Sequence, residues 1–220
     1  MSRIRDIAVV MTAHNEERFI ERAIRSVLSQ SEPAEAFELI VVDDGSTDAT
    51  ARIAERFDEV TLIRNETRLG LPASLNRGIR AANARFVVRV DADDYVHHDF
   101  VRVLRLFLEL NPQMEAIACD YVRVDEHEEH LDHVDASEHP IGCGIMFRKE
   151  RLIEIGLYDE AFLMAEDLDL RLRFERNWPI HRCQLPLYRY RLHGDNMTRA
   201  VAEHEEHKAR ALEKNGALDP

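Results

Sequence analysis

The sequence predicts an α/β fold, a mostly parallel sheet with helices on both faces and a smaller, less regular C-terminal region. Three observations predict it. Short apolar runs alternate with segments whose apolar residues recur at helical spacing. The links between them are short, the pattern of consecutive strand–helix–strand units covered on both sides. Clusters of polar residues stand just past the strand runs, where ligands bind in open sheets of this kind: Thr12-Ala13-His14-Asn15, Asp43-Asp44-Gly45-Ser46 and Asp91-Ala92-Asp93-Asp94. These three clusters are expected to converge.

Each element has its own signal. Ile7-Ala8-Val9-Val10-Met11 is a buried-strand run, and Phe19, Ile20, Ala23, Ile24, Val27 and Leu28 follow at helical spacing over Glu17 to Ser29. Glu38-Leu39-Ile40-Val41-Val42 is a second strand, after which Ser46 or Asp48 can cap a helix carrying Ala51, Ile53, Ala54 and Phe57. Val60 to Ile63 is a third strand. Pro72 suits the first turn of a helix that buries Leu75 and Ile79. Phe86-Val87-Val88-Arg89-Val90 is a fourth strand and runs straight into Asp91. Asp99 to Leu110 reads as a helix stopped by Asn111-Pro112, and the softer division of the chain falls there, into 1–111 and 112–220.

Beyond it, Glu115 to Val124 is expected as a strand, and Asp125 to Pro140, rich in Asp, Glu and His, as an exposed loop. Gly144 to Phe147 reads as a strand, Lys149 to Ile155 as a helix ending at Gly156, and Asp167 to Arg176 as a further helix. A strand through Leu187 to Arg191 and a charged helical tail from Arg199 to Asn215 complete the chain.

The charge narrows the function. With 42 acidic and 29 basic residues the formal charge is -13, and no long Lys/Arg run offsets it, which argues against nucleic acid as a partner. An acidic protein holds a diphosphate only with a cation's help. No apolar stretch is long enough to span a bilayer and the first residues lack the apolar core of a secretory signal, so the cytoplasm is the expected compartment. Cys119, Cys143 and Cys183 are odd in number and widely spaced, so reduced core thiols are expected.

Asp91, Asp93 and Asp94 repel one another, and a hard cation with oxygen ligands relieves that repulsion. Arg89, Asp91 and Asp93 share one side if the strand alternation persists. Mg²⁺ or Mn²⁺ there could bridge the phosphates of a nucleotide sugar and act as a Lewis acid; the alternative is an ordinary turn or helix-cap cluster. Asp44 can accept bonds from a base N–H or a ribose hydroxyl, although strand–turn–helix junctions often look like this without binding anything. Glu166-Asp167 offers a general base, against the plain alternative that acids at a helix start answer the helix dipole.

Together and in this order, these motifs resemble glycosyltransferase family 2, which has the GT-A fold and generally inverts the anomeric centre. The resemblance runs from Ile7 to about Thr198. Val9 to Glu17 matches the first strand and nucleotide loop, which implies nucleotide contacts from Thr12, Ala13, His14 and Glu16; His14 stands where the family usually carries Tyr. Val41 to Asp48 matches the second loop, with Asp44 as the carboxylate that reads the base. Gly70 to Ile79 resembles the helix leading to the metal motif, and Leu75 stands where many members carry a basic residue. Arg89-Val90-Asp91-Ala92-Asp93-Asp94 is similar to the DXD motif, with Asp93 on the metal, Asp91 nearer the ribose and Arg89 in support. Gly142 to Lys149, Gly144 among them, resembles the strand before the acceptor site. Glu166-Asp167 looks like the base motif, with Asp167 as the base. Tyr188 to Thr198 resembles the late strand and loop that close over the donor, where His193 could reach the metal or diphosphate.

The resemblance implies a metal-dependent inverting transferase that moves a sugar from a nucleotide-diphosphate donor to a carbohydrate or lipid-linked acceptor, with surface polysaccharide or glycoconjugate as the default biology. Residues 1–111 are then the nucleotide-sugar half and 112–220 the acceptor and catalytic-base half. Attachment at the inner face of the membrane and assembly into a homo-oligomer stay open. Two alternatives remain. A nucleotidyltransferase would need a Gly-rich basic loop where Thr12 to Glu17 offers no Gly and two carboxylates. A non-catalytic nucleotide-binding subunit would not need the full set of Asp44, Asp91, Asp93 and Asp167.

Overall fold

The computed structural model describes residues 5–194 and 201–216, with residues 201–204 by backbone alone. Its first four strands lie parallel. β1 (Arg5–Ala13) pairs with β2 (Phe37–Asp43) on one edge and β4 (Ala84–Arg89) on the other, and β3 (Val60–Arg64) extends the sheet beyond β2. Val9 therefore sits between Leu39 and Val88. A strand flanked on both edges and covered on both faces must be apolar throughout, and Ile7 to Met11 are all fully buried.

The connections are α1 (Ile20–Leu28), α2 (Thr50–Ala54) and α3 (Leu71–Ala81). The α3 helix lies on β1 and β2 so closely that a Cβ on Gly78 would come within 2.5 Å of Val10 Cγ1. Asp48 rather than Ser46 serves α2, since its Oδ1 accepts from Thr50 N at 2.9 Å.

The sheet continues past β4 without a break. β8 (Ile145–Arg148) runs antiparallel between β4 and β6 (Ala116–Val124), and β9 (Ile180–Arg191) runs parallel to β6 on its other side. A two-residue strand, β5 (Tyr95–Val96), closes the order β3-β2-β1-β4-β8-β6-β9-β5. The division at residue 111 falls between α4 (Phe100–Leu110) and β6, and β8 carries one sheet across it. α5 (Lys149–Glu154) packs on β4 and β8, and α6 (Glu166–Glu175) packs on α7 (Val201–Lys214). Lys214 Nζ fastens α7 by reaching the buried Asp169 Oδ1 at 2.7 Å and Asp159 Oδ2 at 2.8 Å.

One expectation is overturned. The acidic stretch 125–140 is not all loop: β7 (His130–Val134) folds back on β6 as a hairpin. Its residues alternate little in polarity because most of the strand is exposed, and Val134 alone is buried. Cys119, Cys143 and Cys183 are free and buried, as expected. Among the described residues no helix is long and apolar enough to cross a membrane.

Candidate functional site

The loops at the carboxyl ends of β1, β2 and β4 do converge, on a cleft of about 1280 Å³ that α6 closes from the other side. The first two loops are interlocked. Asn15, left-handed at φ 59°, receives Thr47 N on its Oδ1 (2.9 Å) and gives its own N–H to Ser46 Oγ (2.9 Å). Glu16 N donates to Thr50 Oγ1 at 2.7 Å, and Ala49 N donates to Glu17 Oε2 at 2.9 Å. His14 Nδ1 lies 2.8 Å from the Asp44 carbonyl; since a carbonyl only accepts, Nδ1 carries the proton. Thr12, Ala13, His14 and Glu16 all line the cleft.

Asp44 is buried, and its carboxylate collects Asn65 Nδ2 (2.7 Å), Leu69 N (2.8 Å) and Gly70 N (2.9 Å). Burial raises its pKa, but these donors to the charged form win and hold it below the usual carboxylate range. Asp44 thus fixes the loop that carries Arg68 and Leu69 to the cleft wall.

The chain leaves β4 at Arg89 and turns. Arg89 grips Asp91 with two bonds (Nε to Oδ1 2.6 Å, Nη2 to Oδ2 3.1 Å), and its Nη1 reaches Glu166 Oε1 at 3.0 Å. Burial pushes Glu166 up to about 7, against the pull of Arg89 and with a further push from Asp167. Strand alternation does not extend to Asp93, which faces elsewhere: its Oδ2 meets the buried His193 Nε2 at 2.9 Å. Asp94 turns inward, accepting Tyr188 Oη at 2.8 Å and Arg191 N at 2.7 Å. Burial, then Asp93 and Asp91, drive its pKa well above the ordinary value.

Ala165 is left-handed (φ 56°) and starts α6, so that Glu166 and Asp167 enter the cleft from the helix's first turn. Asp167 Oδ1 accepts Leu168 N at 2.8 Å. Gly142 gives it room: a Cβ there would lie 2.7 Å from Asp167 Cβ and 2.9 Å from Arg89 Nη1. Gly144, expected near the acceptor, stands behind the cleft. Its φ is +73°, and a Cβ would meet the Tyr188 ring at 3.3 Å. Gly142 and Tyr188 fell within matched stretches of the sequence, but their roles did not show there. Both act through space they leave or polar groups they satisfy, which local sequence does not display. The expectations for Asp195 to Thr198 lie outside the described residues.

The donor set at Asp93 and His193 fits a divalent cation, which accepts carboxylate oxygen and imidazole nitrogen together. Glu16 records the local excess of negative charge: burial first, then Asp93, push it up to about 7, with Asp48 and Asp91 adding to the push and His193 opposing it. A second group, Asp91, Asp94 and Cys143, brings its ligand atoms within 4.8 Å of one another. Its carboxylates are already taken by Arg89, Tyr188 and Arg191, and burial holds the Cys143 thiol far above its usual pKa. That is a hydrogen-bonded support, ill-suited to a hard cation.

Comparison with known proteins identifies the family and the fold. The sequence profile described as "Glycosyl transferase family 2" matches residues 8–168. An uncharacterised glycosyltransferase of Haemophilus influenzae is 28% identical over 232 residues, covering 92% of this chain and 70% of that protein. The structure of S. aureus TarS 1-349 in complex with UDP-GlcNAc superimposes with a TM-score of 0.79 at 19% identity, covering 95% of this chain and 66% of that one. Mannosyltransferase PcManGT from Pyrobaculum calidifontis, in complex with GDP-Man and Mn²⁺, gives a TM-score of 0.76 at 19% identity, covering 100% of this chain and 66% of that one. The chain thus spans about two thirds of the length of these proteins, and the two structures speak for the fold. Because the matched span runs from β1 to the first turn of α6 and takes in the loops of Asp44, Asp91 and Asp167, the chain belongs to glycosyl transferase family 2 and is a glycosyltransferase of GT-A fold.

Proposed function

We propose that the chain moves a sugar from a nucleotide-diphosphate donor to an acceptor hydroxyl by a single inverting displacement. The observation that carries this reading is that two acidic centres line one cleft: Asp93, whose carboxylate meets the buried His193, and Asp167 on α6 beside the Arg89–Asp91–Glu166 cluster. The donor's nucleoside would lie over Thr12, Ala13, His14, Glu16 and Asp44, with Asp91 toward the ribose. Asp93 and His193 would hold Mn²⁺ or Mg²⁺, and the chemistry such an ion supplies is neutralisation of charge on the departing diphosphate. Asp167 takes the acceptor's proton as that oxygen bonds to the anomeric carbon and the bond to the diphosphate breaks. Arg89 and Glu166 keep the two centres in register.

The neighbours TarS and PcManGT were solved with UDP-GlcNAc and GDP-Man, and the latter with Mn²⁺, which supports a nucleotide sugar and a divalent ion here as well. A carbohydrate or lipid-linked acceptor and a role in surface polysaccharide or glycoconjugate synthesis belong to the same proposal.

Calorimetric titration with UDP, GDP, dTDP and CDP, with and without Mn²⁺, tests it. Manganese-dependent binding of one nucleotide, lost in Asp93→Asn, is expected. Asp167→Asn is expected to abolish transfer and spare that binding. Full transfer by Asp167→Asn would remove the proposed base, and a folded chain that binds none of the four nucleotides would remove the reading as a whole.

A further inference from the structure

Glu128 lies outside the cleft, in the turn between β6 and β7, yet three elements meet at its carboxylate. The turn is organised by Asp125, whose N–H donates to the Glu129 carbonyl (3.1 Å) and whose Oδ1 accepts His127 N (2.8 Å) and Glu129 N (2.9 Å). Glu128 sits in it at φ 67°. Hairpin turns that need a left-handed residue at this place favour Gly or Asn, because a Cβ crowds the backbone there. A Glu held so needs a reason beyond the turn.

The side chain supplies one. Glu128 accepts Arg22 of α1 (Nε to Oε1 3.0 Å, Nη2 to Oε2 3.2 Å) and Arg191 at the end of β9 (Nη2 to Oε1 3.1 Å). Arg191 is buried, and both its backbone and its guanidinium donate to the acidic turn and the hairpin. Its backbone N–H donates to Asp94 Oδ1 (2.7 Å), Nε to the Asp93 carbonyl (2.8 Å) and Nη1 to the Glu126 carbonyl (3.1 Å). The rings of Phe19 and Tyr95 lie 4.8 and 5.4 Å from its guanidinium carbon and confine it further. Two residues on, His193 meets the Asp93 carboxylate. Arg191 thus helps to place Asp93, and Glu128 helps to hold Arg191.

We propose that Glu128 is a positioning residue for the cation-and-diphosphate end of the donor site, acting through Arg191 on Asp93. The proposal rests on the functional reading above, and the test separates the two. Wild type, Glu128→Gly and Glu128→Gln are titrated with MnCl₂ in saturating UDP or GDP, free Mn²⁺ being counted by its paramagnetic resonance signal. Nucleotide binding without metal and thermal melting are measured beside it.

Glycine relieves the left-handed backbone, so Glu128→Gly is expected to fold and, if Glu128 served the turn alone, to bind Mn²⁺ as wild type does. The expected result is instead a loss of Mn²⁺ affinity of about 10-fold, the low end of the usual 10- to 100-fold effect of removing a ligand's direct partner because Glu128 stands one contact further out, with metal-free nucleotide binding unchanged. Glu128→Gln, which keeps the length and loses the charge, should shift the same way by less, and it carries the test should the glycine variant fail to fold. Mn²⁺ affinity equal to wild type in the folded variants overturns this assignment alone. A wild type that binds neither Mn²⁺ nor nucleotide overturns the functional reading and this assignment with it.

Discussion

Arg89 Nη1 lies 3.0 Å from Glu166 Oε1 and joins the end of β4 to the first turn of α6 across 77 residues of chain. Both side chains are nearly buried, and the same guanidinium grips Asp91. One cation thus stands between the carboxylate at the ribose side and the helix that presents Asp167. The bond is a spacer as much as an attraction, because it fixes how far α6 stands from the acidic turn.

Removing the shared cation should be costly. Arg89→Ala leaves the buried Glu166 and the partly buried Asp91 without their shared counter-charge, a situation worth about 3–5 kcal/mol in other buried ion pairs. Urea unfolding should show that loss, and Arg89→Lys, which keeps the charge but not the planar fork, should show a smaller one. An Arg89→Ala midpoint equal to wild type would mean that the triad is solvated after all.

Gly142 is the sharper probe of the site, because its substitution leaves the charges in place. The methyl of Gly142→Ala would press on Asp167 Cβ at 2.7 Å and on Arg89 Nη1 at 2.9 Å. The φ of Gly142 is not left-handed, so the backbone tolerates alanine. Displacing a proposed base by about an ångström should lower kcat by about 100-fold while nucleotide binding stays near wild type. Unchanged kcat would argue that Asp167 does not take the proton.

The parallel half was readable because its signals are local. Buried strands on two faces demand continuous apolar runs, as at Val9 and Val88, and acidic loops stand at their ends. The hairpin strand β7 was not readable, since an exposed strand such as His130–Val134 needs no apolar alternation. Strand β9 begins at Ile180, earlier than its apolar run, because backbone pairing to β6 holds residues such as Arg182, whose guanidinium is anchored on the buried Asp120 at 2.6 Å. Within the site, Asp44, Asp91, Asp93 and Asp167 were legible as carboxylates at element ends. The partner of each was legible only in part: the resemblance brought His193 toward Asp93, but Arg89–Glu166 joins residues 77 apart and leaves no local mark.

Glu16 gives a pH signature. Burial and the neighbouring acids raise its folded pKa from 4.5 to about 7, so the folded state prefers the protonated acid. Its stabilising contribution is complete below the unfolded value of 4.5 and is lost as pH rises through about 7. Glu16→Gln should therefore melt above wild type at pH 8 and with it at pH 4.5. Discounted for solvent screening, the gap at pH 8 is on the order of 1–2 kcal/mol. A gap that grows toward low pH would have the wrong sign and would reject the assignment.

Tyr188 offers the cleanest separation of packing from polar support. Its ring is fully buried and edge-on to Phe100, with centroids 6.1 Å apart, and phenylalanine would keep that packing. Its hydroxyl donates to Asp94 Oδ2 at 2.8 Å and accepts Asp91 N at 3.0 Å, so one oxygen pins both ends of the acidic turn. Tyr188→Phe deprives the Asp91 amide and Asp94 Oδ2 of these bonds at about 1–3 kcal/mol each, and the total loss of stability should be about 2–6 kcal/mol. A turn released from behind should also hold its carboxylates less firmly, so manganese-dependent nucleotide binding should weaken in the same variant. If stability falls and that binding does not, Tyr188 serves the core alone and Arg191 suffices to hold Asp93. If both fall together, the buried hydroxyl is part of what prepares the donor site.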